Sequence, residues 1–310
     1  MEEPIQQSES KGRAIVAGID FSEPSHHALE EAVRIASREE AKLVICHFLY
    51  DEEMAHLTKW VGLTPGAIVA GRKSHLLSWI DALETDGLQL DVRVKVGHPF
   101  AELTKTIREE KAKLLVLGAQ GESHKSHSHQ IGSVARACLR HAPCEVLLLR
   151  KEQAERFHTV LAAVDFSENS KEAVRVAAEI ARVDQSELHV VHIFAPAWKY
   201  YGERAEVEEE VEDYKAEIRK QFCDFIYPEL AEARHLPLHF EVRESLSVYH
   251  GVLSYANEAG ADLIVVGLQG RSAQHSPSPG STAERIIEKS TCSVLSVPPN
   301  QSPAQPNLPS

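Results

Sequence analysis

Short runs of apolar residues alternate along this chain with longer stretches in which apolar residues return every three or four positions. Ala14–Ile19, Leu43–Leu49, Leu90–Val96, Leu114–Leu117 and Val146–Leu149 are the runs of the first half. Runs this continuous suit strands covered on both faces, which predicts parallel sheet with helices packed on it. Between the first two, Ala28, Leu29, Ala32, Val33, Ile35 and Ala36 trace one face of a helix, and Leu76, Leu77, Ile80 and Leu83 trace that of another. The second half has runs at Val160–Val164, Leu188–Phe194, Leu238–Val242, Leu263–Val266 and Val294–Val297. It also carries a long charged helix, expected from about Glu203 to Ala233, with a solvated or lid-like face. Strands and helices alternate throughout. The fold class is therefore α/β, as two tandem, doubly wound, Rossmann-like parallel sheets of five strands each, with right-handed crossovers.

The two halves also share words. Ala17-Gly18-Ile19-Asp20-Phe21-Ser22-Glu23 returns as Ala162-Ala163-Val164-Asp165-Phe166-Ser167-Glu168, and Leu114-Leu115-Val116-Leu117-Gly118 returns as Leu263-Ile264-Val265-Val266-Gly267. Each copy is long enough to bury its own core, so a whole domain has been duplicated. The expected division is a tail at 1–12, a first domain at 13–151, a linker at 152–156, a second domain at 157–298 and a Pro- and Ser-containing tail at 299–310. Two apolar final strands, Val146–Leu149 and Val294–Val297, would bury each other's edges in a pseudo-twofold pair.

Composition narrows the class. The chain of 310 residues has a formal net charge of −13, which speaks against nucleic acid or an anionic membrane as partner. No apolar run reaches the ~18 residues of a membrane span, and the polar start does not read as a secretory signal. Five cysteines, Cys46, Cys138, Cys144, Cys223 and Cys292, form no C-x-x-C pair and read as buried small hydrophobes of a reducing cytoplasm.

Asp20 and Asp165 end the first strand of their copies, and Gly118 and Gly267 end the fourth. If strands one and four are neighbours where strand order reverses, each Asp faces its own glycine loop across a ligand crevice. The second loop reads Gly267-x2-Gly270-x9-Gly280-Ser281, and the first reads Gly118-x2-Gly121-x10-Gly132-Ser133. Glycine lets a ligand approach the backbone, and the helix after each Gly-Ser offers unpaired N–H groups suited to phosphate. Ser281 and Thr282 add hydroxyls, and Arg271 a nearby cation. The first loop has one residue more, whereas the second carries Pro277 and Pro279, which remove N–H donors. On spacing and on Arg271, the second site ranks above the first. His124, His127 and His129 in the first loop could chelate Zn²⁺ but read better as a solvated loop, so no metal ligand is assigned. His47 and His192, in apolar strands, read as core histidines bonded to backbone.

In order and twice over come strand–Asp-Phe-Ser, a second strand ending in His (His47, His192), a glycine loop and a Cys-containing last strand. With the Gly-x2-Gly-x9-Gly-Ser spacing of the second copy and the tail Arg140-His141-Ala142-Pro143-Cys144-Glu145-Val146 of the first, they resemble the universal stress proteins. The tandem arrangement is similar to the two-domain, UspE-like branch. The resemblance implies an adenine-nucleotide-binding fold. Asp20 and Asp165 would accept hydrogen bonds from ribose, and the backbone of Phe48 and Ile193 would read the adenine edge. Gly118, Gly121, Gly132 and Ser133, or Gly267, Gly270, Gly280 and Ser281, would hold ribose and phosphates. The implied ligand is ATP or AMP, with or without Mg²⁺.

The leading reading is a cytoplasmic stress-response protein whose bound adenine nucleotide sets conformation or partner choice. Its partners would be nucleotide and its own second domain, or a second copy in a homodimer. An alternative is a scaffold or apolar-ligand-binding protein with vestigial sites. An ATP hydrolase ranks lower, because the sequence has no Gly-x4-Gly-Lys-Ser/Thr loop and no second carboxylate placed for Mg²⁺ or water, although slow hydrolysis is compatible with it.

Overall fold

The computed structural model describes residues 14–120, 131–150, 156–195, 208–230, 235–271 and 280–299. The terminal tails, most of the linker, the His-rich segment, Gly121, Pro277, Pro279 and both ends of the charged helix lie outside these residues. The chain divides into two compact units.

In the first unit the predicted alternation holds. It runs β1 (Ala14–Gly18), α1 (Glu23–Glu39), β2 (Lys42–Leu49), α2 (Asp51–His56), a π-helical turn at Leu57–Val61, α3 (Pro65–Ile80), β3 (Leu90–Val96), α4 (Pro99–Glu109), β4 (Leu114–Gly118) and α5 (Ser133–His141), of which the residues through Cys138 belong here. The strands are parallel in the order β3-β2-β1-β4. Strand β1 therefore lies between β2 and β4, where the winding reverses, and its carboxyl end opens the crevice that such sheets use for ligands. All six apolar residues of the α1 face are buried. Of the second predicted face, Leu76 and Ile80 are buried but Leu77 is exposed, because a narrower stripe of α3 meets the sheet. Strand β3, at one edge of the order, is only half-buried, because Asp91, Arg93 and Lys95 alternate with its apolar residues, where a strand covered on both faces is expected.

The second unit contains β6 (Thr159–Val164), α6 (Glu168–Asp184), β7 (Glu187–Phe194), α7 (Glu208–Ile226), a 3₁₀ turn at Tyr227–Leu230, β8 (Leu238–Glu244), α8 (Val248–Ala259), β9 (Leu263–Gly267), α9 (Ser281–Lys289) and β10 (Ser293–Val297). It also contains β5 (Glu145–Leu149), the last strand of the first repeat. The order is β8-β7-β6-β9-β10-β5, parallel except for β5. The two final strands meet as expected, β5 antiparallel to β10, with Leu295 opposite Leu147. Helix α7 corrects the expected solvated face. Ile218, Phe222 and Ile226 recur every four residues and are buried, so its charges flank a packed apolar stripe.

Candidate nucleotide site

The Asp-Phe-Ser corner after each first strand is built identically. Asp20 Oδ1 accepts hydrogen bonds from the backbone N–H (3.0 Å) and the hydroxyl (2.6 Å) of Ser22, and Asp165 Oδ1 does the same with Ser167 at 3.0 and 2.6 Å. Each serine in turn caps the following helix by accepting from Ser25 or Ser170 N–H. Between them, Phe21 and Phe166 are held left-handed at φ of 64° and 63°. That conformation is unfavourable for a bulky residue, and its presence in both copies marks a corner whose surroundings impose it. The serine hydroxyls reach Gln120 and Gln269 carbonyls at 3.2 Å, which ties each Asp corner to its own glycine loop.

The glycines at the fourth strand are needed for packing. A Cβ on Gly118 would lie 2.7 Å from the backbone of Pro24 and Ser25, and one on Gly267 would lie 2.8 Å from Asn169 O, so α1 and α6 start against bare backbone. Beyond the loops, Gly132 N–H donates to Ala119 O at 2.9 Å and Gly280 N–H to Leu268 O at 2.7 Å. These bonds set the first turns of α5 and α9 beside the strand ends. Ser133, Ser281 and Thr282 are exposed there, at helix starts whose N–H groups favour an anion.

In the first unit these parts enclose a cavity of about 310 Å³. Asp20, Phe48, Gly118, Gly132 and Ser133 line it, as does His47; Gly121 lies outside the described residues. His47 Nδ1 lies 2.8 Å from Ile19 O, and since a carbonyl can only accept, Nδ1 carries the proton. Its buried Nε2 is thereby left as an acceptor, with no partner among the described residues. Burial pushes the His47 pKa down, so the ring is neutral at pH 7. The sequence did not point to Tyr50, Glu53 or Arg72 in the lining. Arg72 pairs with Glu53 at 2.9 Å and sits 5.5 Å over the Phe21 ring, which stacks on His75. No local signal marks Arg72, because only the packing of α3 brings it there.

The second unit repeats the frame with different fastenings. His192 Nδ1 donates to Val164 O at 2.8 Å, and burial likewise lowers its pKa. Ile193 is buried at the place of Phe48. Asp165 Oδ2 accepts from the Arg271 N–H at 3.2 Å, and a Cβ on Gly270 would lie 2.5 Å from that oxygen. The Arg271 guanidinium lies 5.7 Å over the Phe166 ring. Asn169 fixes the loop from below, accepting from Gln269 N–H at 2.8 Å and donating to Val297 O at 3.2 Å. The sequence missed Asn169, whose counterpart in the first copy is Pro24.

Comparison with known proteins agrees with this anatomy. The model of the universal stress protein family matches residues 12–150 and again 156–298. Universal stress protein A homolog 1 of Coxiella burnetii is 32% identical over 141 residues, 44% of this chain and 94% of that protein. Universal stress protein YxiE of Bacillus subtilis is 27% identical over 46% of this chain and 99% of its own length. Among solved structures, a universal stress protein from Archaeoglobus fulgidus shares the fold at a TM-score of 0.61 and 17% identity, covering 93% of this chain and 96% of that one. A functionally unknown protein from Pseudomonas aeruginosa PAO1 shares it at 0.67 and 17%, covering 93% of each. Both halves match the family, and the chain belongs to the universal stress proteins as a tandem of two such domains.

Proposed function

We propose that this protein binds an adenine nucleotide, ATP or AMP, in the cavity of the first unit and acts as a nucleotide-dependent regulator in a stress response. One observation carries the reading: Asp20 after β1, Phe48 of β2, Gly118 of β4, and Gly132 and Ser133 at the start of α5 line one cavity. Its volume, about 310 Å³, falls at the lower end of small-molecule sites. Asp20 takes the ribose hydroxyls, the backbone at Phe48 reads the adenine edge, and the α5 start with Ser133 holds phosphate. The loop spacing favoured the second copy. The described cavity lies in the first, so the proposal is placed there, while in the second Asp165 Oδ2 accepts from the Arg271 N–H. Ligand in the second unit would be held by Gly267, Gly270, Arg271, Gly280, Ser281 and Thr282, with Asp165 Oδ2 shared between the ligand and the Arg271 N–H.

The chemistry offered is binding rather than turnover. Backbone donors stabilise phosphate charge but do not activate water, and Glu53, the carboxylate that lines the cavity beside Asp20, is paired with Arg72. The cytoplasm suits this reading, since all five cysteines are free and four are buried. Burial pushes the Cys46 and Cys138 thiols up to about 12, so both are inert. Mass spectrometry of small molecules released by denaturing freshly purified protein tests the proposal. AMP or ATP in the supernatant supports it; nucleotide-free protein that also fails to bind added AMP and ATP overturns it.

A further inference from the structure

The geometry points to a divalent-cation site in the second unit, at the amino ends of β7 and β8, built from Glu187, His189 and His239 and suited to Zn²⁺. Glu187 and His189 are two positions apart on β7 and share one face of the sheet. Parallel pairing sets His239 of β8 directly opposite His189. Their three ligand atoms all lie within 4.8 Å of one another, with His189 Nε2 and His239 Nε2 at 3.7 and 3.6 Å from Glu187 Oε2. Tetrahedral Zn²⁺ with ~2.0–2.1 Å bonds sets its ligand atoms ~3.3 Å apart, so the carboxylate–imidazole distances need to close by only a few tenths of an ångström.

A second observation separates this cluster from a chance surface grouping. His189 is 8% exposed, and its Nε2 has no hydrogen-bond partner among the described residues. A buried imidazole nitrogen without a partner calls for an explanation. Its other nitrogen, Nδ1, lies 2.8 Å from the Tyr255 hydroxyl on α8. In the tautomer that donates from Nδ1 to Tyr255, the Nε2 lone pair points out as a ligand, held by the kind of outer-shell bond that metal-binding histidines carry. Glu187 and His239 are both about half exposed at their side chains and free to adjust. The two rings are now stacked, 4.3 Å apart and 18° from parallel, so binding requires His239 to tilt until its nitrogen converges on the ion.

The first unit supplies an internal control. Its matching positions are Lys42, Val44 and Asp91, with Val44 opposite Asp91 in the same register. There Lys42 pairs with Glu110 at 2.7 Å, and Arg93 with Asp91 at 2.7 Å. One repeat thus closes this sheet corner with fixed cations, while the other offers two imidazoles and a carboxylate. Two nitrogens and one oxygen match a borderline ion such as Zn²⁺, with a fourth position left to water.

Titration of ZnCl₂ into the full chain stripped with chelator, followed by calorimetry and by the visible spectrum of the Co²⁺ form, tests the site. The expected result is one equivalent bound in the wild type and in a variant with His124, His127 and His129 all changed to Ala. Affinity should fall at least tenfold in His239→Ala and Glu187→Gln, whose exposed positions leave the fold intact by circular dichroism. Tyr255→Phe should weaken binding by ~10–100-fold as an outer-shell change. Unchanged binding in His239→Ala, loss of binding in the loop variant alone, or no binding by the wild type would each overturn the assignment.

Discussion

At the scale of single residues, the glycines and the buried histidines make the sharpest claims. Gly118→Ala would drive a Cβ to 2.7 Å from the Pro24 and Ser25 backbone, which cannot yield without moving α1. It is expected to cost ~1–3 kcal/mol, the usual range for overpacking, in a urea titration. Gly270→Ala meets only the end of the Asp165 side chain and should cost less. Burial lowers the pKa of His47, His189 and His192 below their ordinary 6.5. Between that value and the lowered one, the unfolded chain binds protons that the folded chain refuses, so stability falls as pH drops below 6.5. The urea midpoint should decline over this window, and less steeply in His47→Asn, whose amide still donates towards Ile19 O. An equal decline in that variant would remove His47 as a cause. Asp20, Asp165 and the glycines were legible because their roles are local and written twice. Arg72, Asn169 and the His189–His239 pair were not, because each acts through strand register or helix packing that no short stretch encodes.

At the scale of elements, periodicity located the ten strands of the described residues, and it erred where charge hides an apolar stripe. Helix α7 reads as solvated because its acidic and basic residues outnumber its apolar ones. Yet Phe222 is fully buried and meets Phe166 and Phe240 edge-on at ring separations of 6.5 and 6.3 Å. Phe222→Ala should therefore cost ~3–5 kcal/mol, while Lys220→Ala, on the exposed side of the helix, should change stability by less than ~0.5 kcal/mol. Thermal unfolding of the two variants decides between a packed helix and a lid; similar midpoints would favour the lid. The edge strands β3 and β8 show the opposite error. Counted among the runs covered on both faces, each alternates apolar with polar or charged residues and is only half covered.

At the scale of the molecule, the duplication was plain in the sequence, but the division of strands between units was not. Strand β5 belongs by sequence to the first repeat and by packing to the second, where it covers the β10 edge. A fragment of residues 156–298 would leave that apolar edge bare, and it is expected to self-associate in light scattering while the full chain does not do so through this edge. A monomeric fragment would contradict this. With a net charge of −13, the proposed phosphate recognition falls to local donors such as those of the cavity beside Asp20. Calorimetric titration of AMP and ATP into the wild type, Asp20→Ala and Asp165→Ala tests it most directly. Asp20→Ala is expected to lose ~1.5–3 kcal/mol of binding, the worth of a charge-assisted hydrogen bond, and Asp165→Ala less. Wild-type affinity retained in Asp20→Ala would contradict it.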